Sequence, residues 1–105
     1  MKRWSLFVGL GGLSLAGLGD TCNRVAVFFN SSVMPVKAIE CIKDSTAATD
    51  STHACMTAAT HIKFLCDYLR IGNAVYSPGD ILIGLGEILA VIFLPIATYY
   101  LLRDR

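Results

Sequence analysis

The chain has 105 residues, of which 54% are apolar and 16% charged, with a formal net charge of +1. A nearly neutral chain without a Lys/Arg cluster interleaved with aromatics lacks the electrostatic footprint of a nucleic-acid binder, and soluble domains carry roughly 25% charged residues. The length allows one domain, and the apolar residues are gathered into two blocks, Trp4 to Leu18 and Ile81 to Leu102, which point to lipid rather than to a water-soluble core.

The first block follows Met1-Lys2-Arg3, which is also how a secretory signal peptide begins, and Gly17 and Gly19 suit a cleavage site. If the segment is retained, a helix from Trp4 continues past Gly19 through Asp20, Thr21, Asn23 and Arg24 into Val25 to Phe29. Such a helix is about 39 Å long, so its polar turn lies towards the far side of a bilayer. Asp20 and Arg24 stand one helical turn apart in the orientation helices favour for an ion pair, which makes the polar turn tolerable near an interface. Residues 1–30 are therefore read as a first transmembrane helix.

Residues 31–59 read as a polar loop. Pro35 ends any helix that reaches it and holds Met34 extended, Lys37 to Lys43 has the length of a short helix, and the stretch after it is small and polar. Cys41 and Cys55 flank that stretch and can close it with a disulfide in an oxidising compartment. The four cysteines show no CxxC spacing, and His53, His61, Cys55 and Cys66 match no familiar metal-ligand set. No metal and no cofactor is expected.

From Thr60 the pattern sharpens. Ile62, Leu65 and Leu69 recur at helical spacing, with Lys63, Asp67 and Arg70 on the other face, so residues 60–72 are expected to form an amphipathic interfacial helix ended by Gly72. In that helix Asp67 belongs to an ion-pair trio with Lys63 and Arg70. Next, Ser77-Pro78-Gly79-Asp80 has the chemistry of a helix start: Ser77 as N-cap, Pro78 at the first helical position and Asp80 at the third.

Residues 77–105 read as the second transmembrane helix and its basic tail. The 22 residues from Ile81 to Leu102 rise about 33 Å, enough to cross a hydrocarbon core of about 30 Å. Glu87 interrupts them, and a charged residue at mid-helix costs on the order of 2.5 to 3.5 kcal/mol. Pro95 is expected to bend the helix, while Tyr99, Tyr100, Arg103 and Arg105 form an interfacial anchor. Lys2 and Arg3 with Arg103 and Arg105 place both termini in the cytoplasm and the middle outside.

Two resemblances go beyond periodicity. Asn30-Ser31-Ser32-Val33-Met34-Pro35-Val36, then Thr60 to Asp67, then Tyr76-Ser77-Pro78-Gly79-Asp80 before a helix together resemble an uncharacterised bacterial integral membrane family. That family shows Asn-Gly-Gly-x-Met-Pro-Val, a later Leu-x-Asp and a Ser-x-Gly-Asp; Ser31 and Ser32 stand here where it has glycines. The resemblance implies a bacterial inner membrane location and transfers no activity. The run Gly11-Gly12 to Asp20, Asn23 and Arg24, then Asp67-Tyr68, then Asp80, is similar to the C-terminal half of lipoprotein signal peptidase, with its Asn-x-x-Asp-Arg scrambled to Asp-x-x-Asn-Arg and its first half absent. This similarity implies a carboxylate dyad of Asp67 and Asp80, one activating water and the other protonating an amide.

The sequence thus predicts an all-α membrane protein of two transmembrane helices with an interfacial amphipathic helix between them. Its leading functional expectation is a small structural or accessory subunit of a membrane assembly. Asp20, Asn23, Arg24 and Glu87 are intramembrane polar residues better accommodated against a membrane-protein partner or a second copy than against lipid alone. The other expectations are an intramembrane aspartic peptidase and an exported, single-anchored protein left after signal cleavage.

Overall fold

A computed structural model describes residues 2–38, 41, 52–72 and 74–103. Helix α1 runs from Lys2 to Phe29. It stops where Ser31 and Ser32 both take left-handed backbone angles, φ 60° and 65°, and the amides of Asn30 and Ser32 fold back onto the carbonyl of Val27. Glycine normally occupies such a helix end, because a Cβ in this conformation is penalised by about 1–2 kcal/mol. Helix α2 runs from Pro78 to Arg103 with Pro95 inside it. Both helices are long and apolar enough to cross a membrane. Three of their hydroxyls are satisfied internally: Ser14, Thr21 and Thr98 donate to the carbonyls of Leu10, Gly17 and Leu94, so these three ask for no water along an apolar face.

The helices lie antiparallel, and small residues set their spacing. A Cβ on Gly9 would strike the Leu94 side chain, and one on Gly12 would lie 2.6 Å from the Gly86 carbonyl oxygen. Gly19 meets the Gly79 backbone in the same way. Backbone contact of this kind maximises dispersion where no hydrophobic force acts between helices. Trp4 adds an edge-to-face contact with Phe93 at 5.4 Å. The outward surfaces keep large apolar side chains exposed, among them Phe7, Leu10 and Leu13 on α1 and Ile88 and Val91 on α2.

Between the helices the fold departs from an all-α chain. Strand β1 (Met34–Val36) pairs in parallel with β2 (His53–Cys55), and on its other side Val36 bridges to Asp67. The polar loop expected over 31–59 therefore contains the centre of the segment between the helices. The amphipathic helix expected over 60–72 is replaced by one 3-10 turn, Lys63–Leu65, and an antiparallel hairpin of β3 (Leu69–Ile71) and β4 (Ala74–Tyr76). The reason lies in the backbone of Asp67. Its N–H donates to Pro35 and its carbonyl accepts from Lys37, which needs extended chain and overrides the local 3.6-residue period. Gly72, at φ +63°, then turns the chain into the hairpin. The short helix expected over Lys37 to Lys43 falls mostly outside the described residues, as does the loop after it up to residue 51, while its remainder from Thr52 carries β2.

A small apolar core of Ala26, Met34 and Cys66, with Val27, Met56 and Leu65 against it, joins this segment to α1. Asn30 fastens it, donating to the carbonyls of Ala26 and His61 at 2.8 Å each and accepting from the His61 amide at 2.9 Å. Cys41 and Cys55 are joined by a disulfide with Cα atoms 5.5 Å apart.

Two outcomes follow. Gly86→Leu should force the helices apart and lower thermal stability in detergent by 1–3 kcal/mol, the usual cost of overpacking, whereas Gly11→Leu, whose Cβ meets nothing within 4 Å, should leave it unchanged. Ser31→Gly and Ser32→Gly should each raise stability, by about 1 kcal/mol, by removing the left-handed penalty, read from the unfolding midpoint.

Candidate functional site

The site forms where α1 and the start of α2 meet the segment between the helices. Because Gly19 and Gly79 let the backbones touch, Asn23, one turn further along α1, reaches the first turn of α2. Its Nδ2 donates to Asp80 Oδ1 at 2.8 Å, and its Oδ1 accepts from the Ser77 hydroxyl at 2.5 Å. Ser77 and Asp80 meanwhile cap each other: the Asp80 amide donates to Ser77 Oγ and the Ser77 amide to Asp80 Oδ2, both at 3.0 Å. This is a capping box with Asp in the third position, and the negative group faces the positive end of the helix dipole. Each Asp80 oxygen thus accepts a hydrogen bond.

Asp67 comes from the other direction. It does not join Lys63 and Arg70, which stay exposed; as part of the extended backbone beside β1 it is turned inward and only 5% exposed. Its Oδ2 lies 3.5 Å from His53 Nε2, while its Oδ1 is buried without a donor. Burial, first, and the negative charge of Asp80, second, push the Asp67 carboxyl up to about 6; His53 opposes the rise and a hydrogen bond shared with Asp80 adds to it. An ionised pair cannot supply that hydrogen bond, so a proton on Asp67 resolves both the like-charge contact and the orphaned oxygen. The neighbouring thiol of Cys66 is pushed up as well, by burial and then by Asp67, which makes it a packing group rather than a nucleophile.

Asn23, Val27, Met34, His53, Asp67 and Asp80 line a cavity of about 320 Å³. Asp67 and Asp80 are therefore brought together, with Ser77 and Asn23 beside them. Asp20 and Arg24 are not: they form an exposed ion pair at 2.8 Å beside an adjoining groove lined by Arg24, Asn23, Val27 and Phe28. Glu87 lies two and a half turns into α2, on a separate groove. Two residues that carry the arrangement escaped the sequence reading. His53 had no signal beyond being a histidine, since a parallel strand pairing is not written in local pattern. Asn30 was visible only inside the resembled segment. Among the described residues no group of three or more His, Cys, Asp or Glu is set to hold a metal.

Such a site can hold one proton between two carboxyls, with one oxygen set fixed by donors and the other carboxyl able to give or take the proton. Residues 6–92, which include every residue of this site, match a family of unknown function, DUF5317. The chain belongs to that family. No curated protein and no solved structure matches it, so DUF5317 brings no chemistry of its own to this pocket and the residues must supply the reading.

The Asp67 shift has a sign that can be measured. The folded chain holds this proton up to pH about 6, the unfolded chain only to 3.8, so stability falls as pH rises from 3.8 to about 6 and levels off above. The total is at most about 3 kcal/mol. Unfolding in detergent between pH 4 and 7 should show this fall in the native chain and lose it in Asp67→Asn.

Proposed function

We propose that this DUF5317 chain is a small two-span membrane protein whose outer end carries an acid–base site, and that the chemistry it suits is water-dependent cleavage of an amide or ester. One observation carries the reading: Asp67 and Asp80 line one cavity, Asp80 engaged by Asn23 and a helix start, Asp67 buried against His53 with its carboxyl pushed up to about 6 by burial and by the charge of Asp80. In the aspartic mechanism the ionised carboxyl takes a proton from water as that water attacks the carbonyl, and the protonated one gives its proton to the leaving nitrogen. Asp80, with both oxygens accepting, fits the first role, and Asp67 the second. The dyad of an intramembrane aspartic peptidase has this division of labour.

Membrane placement is supported by two long apolar helices whose outer faces stay exposed. Retention of the first segment is supported by what α1 does, because it packs along α2 and contributes Asn23 to the site. The Cys41–Cys55 disulfide favours an oxidising compartment for the outer segment, in keeping with cytoplasmic termini beside Arg3 and Arg103; a bacterial inner membrane is the setting the resembled family suggests.

A second reading, a structural or accessory subunit of a membrane assembly, is favoured by Glu87. It sits exposed on α2 among Gly84, Ile88 and Val91, where a partner's polar group would relieve the cost of an acid against lipid.

The hydrolytic reading is tested in vesicles with an internally quenched peptide that spans the bilayer and ends near its outer face. The native chain should cleave it, and Asp67→Asn and Asp80→Asn should each lower the rate by 10²-fold or more, the usual contribution of one acid–base group. Equal rates in the native and Asn chains would leave the accessory reading alone.

A further inference from the structure

The groove beside the Asp67–Asp80 cavity belongs to the same opening. Asn23, Val27 and Ser32 line both, and the groove, of about 380 Å³, adds Arg24 and Phe28. On α1 the row of Asn23 and Val27 is shared with the cavity, and the row of Arg24 and Phe28 stands next to it, about 100° round the helix. Arg24 is aimed by Asp20, whose Oδ2 accepts from its Nε at 2.8 Å. That bond uses one of the guanidinium donors, and among the described residues the terminal nitrogens have no partner. Ser32 stands at the edge common to groove and cavity with a left-handed backbone, φ 65°. Backbone held in this region by a residue other than glycine is concentrated at ligand sites.

Depth identifies the ligand. Asn23 and Asp80, hydrogen-bonded to each other, each stand nineteen residues along their helix from an exposed aromatic at the opposite end, Trp4 and Tyr99 respectively. That is about 29 Å of helix on both sides, so with Trp4 and Tyr99 at one interface the site lies where a hydrocarbon core of about 30 Å gives way to headgroups at the other. The acyl linkages of a lipid lie at this boundary and its phosphate just beyond it. Arg24, one residue further out with a side chain that reaches towards headgroups, meets the phosphate with its planar fork. Val27 and Phe28, the latter 78% exposed, offer the apolar wall beside the chain. An extended peptide, held largely through its backbone, finds little here, because the groove wall is a helix bonded to itself and β1 is paired on both edges.

We propose that the groove of Arg24, Val27, Phe28 and Ser32 is a headgroup subsite, and that the Asp67–Asp80 site acts on the acyl ester or amide of a lipid whose headgroup carries a phosphate. This rests on the hydrolytic reading and names its substrate. Water adds to the acyl carbon as Asp80 takes a proton from it, and the bond from that carbon to oxygen or nitrogen breaks as Asp67 protonates the leaving atom. The products are a fatty acid and a lipid alcohol or amine. Transfer of the proton from Asp80 to Asp67 restores the starting state, with one water consumed.

Binding is measured on the full chain in dodecyl maltoside, a detergent without phosphate, by native mass spectrometry with a dialkyl ether phosphatidic acid, which has no acyl bond to cleave. The native chain should bind it at least tenfold more tightly than the dialkylglycerol that lacks the phosphate. Arg24→Gln should lose that preference, Arg24→Lys should recover part of it, and Arg70→Gln, on β3, should keep it whole; circular dichroism checks that each variant is folded. Equal binding of the two lipids by the native chain, or an unchanged preference in Arg24→Gln, overturns the proposal. Cleavage is measured separately with diacyl phosphatidic acid and the matching diacylglycerol. The native chain should cleave the first, and Arg24→Gln should raise its KM tenfold or more. Cleavage of both lipids with the same KM overturns the headgroup subsite and leaves the hydrolytic reading standing. Cleavage of a bilayer-spanning peptide but of neither lipid overturns the lipid substrate alone, and cleavage of none of the three takes the hydrolytic reading with it.

Discussion

Everything at the site end of the helix pair depends on how closely α1 and α2 approach at Gly19 and Gly79. At that point the backbones touch, and only at that separation can the short side chain of Asn23 address Ser77 and Asp80 at once. A carboxamide is suited to this because it offers an acceptor to the Ser77 hydroxyl and a donor to the Asp80 carboxylate from one rigid plane. The same contact anchors the start of α2. A helix whose first turn is held by its own capping box and by a side chain from its neighbour has few orphaned donors left, which matters where water is scarce.

The second half of the site is held by β1. One edge of this strand aligns β2, which carries His53, and the other receives Asp67. Both side chains thus depend on three residues, Met34 to Val36, whose position is fixed in turn by the core of Ala26 and Cys66 and by the three hydrogen bonds of Asn30. The disulfide at Cys55 closes the far end of β2. Two carboxyls come together here because one arrives through the helix pair and the other through the strand pair. Neither assembly alone contains the site.

The parts governed by neighbours in sequence were legible. The length and apolarity of α2, its Ser77-Pro78-Gly79-Asp80 start, and the Asp20–Arg24 pair one turn apart all follow from local rules. The segment from Thr60 to Ile71 misled, because Ile62, Leu65 and Leu69 keep a helical period while the backbone of Asp67 is claimed by a strand more than thirty residues earlier in the chain. A local signal against the helix was present in the sequence: Gly72 followed by Asn73 is a dipeptide of the type that joins hairpin strands. The parallel pairing of Met34–Val36 with His53–Cys55 left no local trace, since parallel strands are brought together by a long connection and a shared core rather than by a turn. His53 was consequently invisible as a partner of Asp67. The suggestion that Asp67 and Asp80 belong together came from motif similarity alone.

The depth of the pair decides its chemistry. Two unit charges about 4 Å apart repel by about 1 kcal/mol in water and about 4 kcal/mol at the effective dielectric of a protein surface. Fully solvated, both carboxyls would ionise and share nothing; deep in hydrocarbon, both would hold protons and neither could act as a base. The rise of Asp67 from 3.8 to about 6 corresponds to roughly 3 kcal/mol, between those limits. A cap of two short strand pairs over the end of a helix hairpin produces that intermediate environment: Asp67 is covered by protein, while Asp80 keeps the helix dipole and the amides of Asn23 and Ser77. The asymmetry between the carboxyls is therefore a consequence of the fold, and it lets Asp67 hold its proton up to pH about 6.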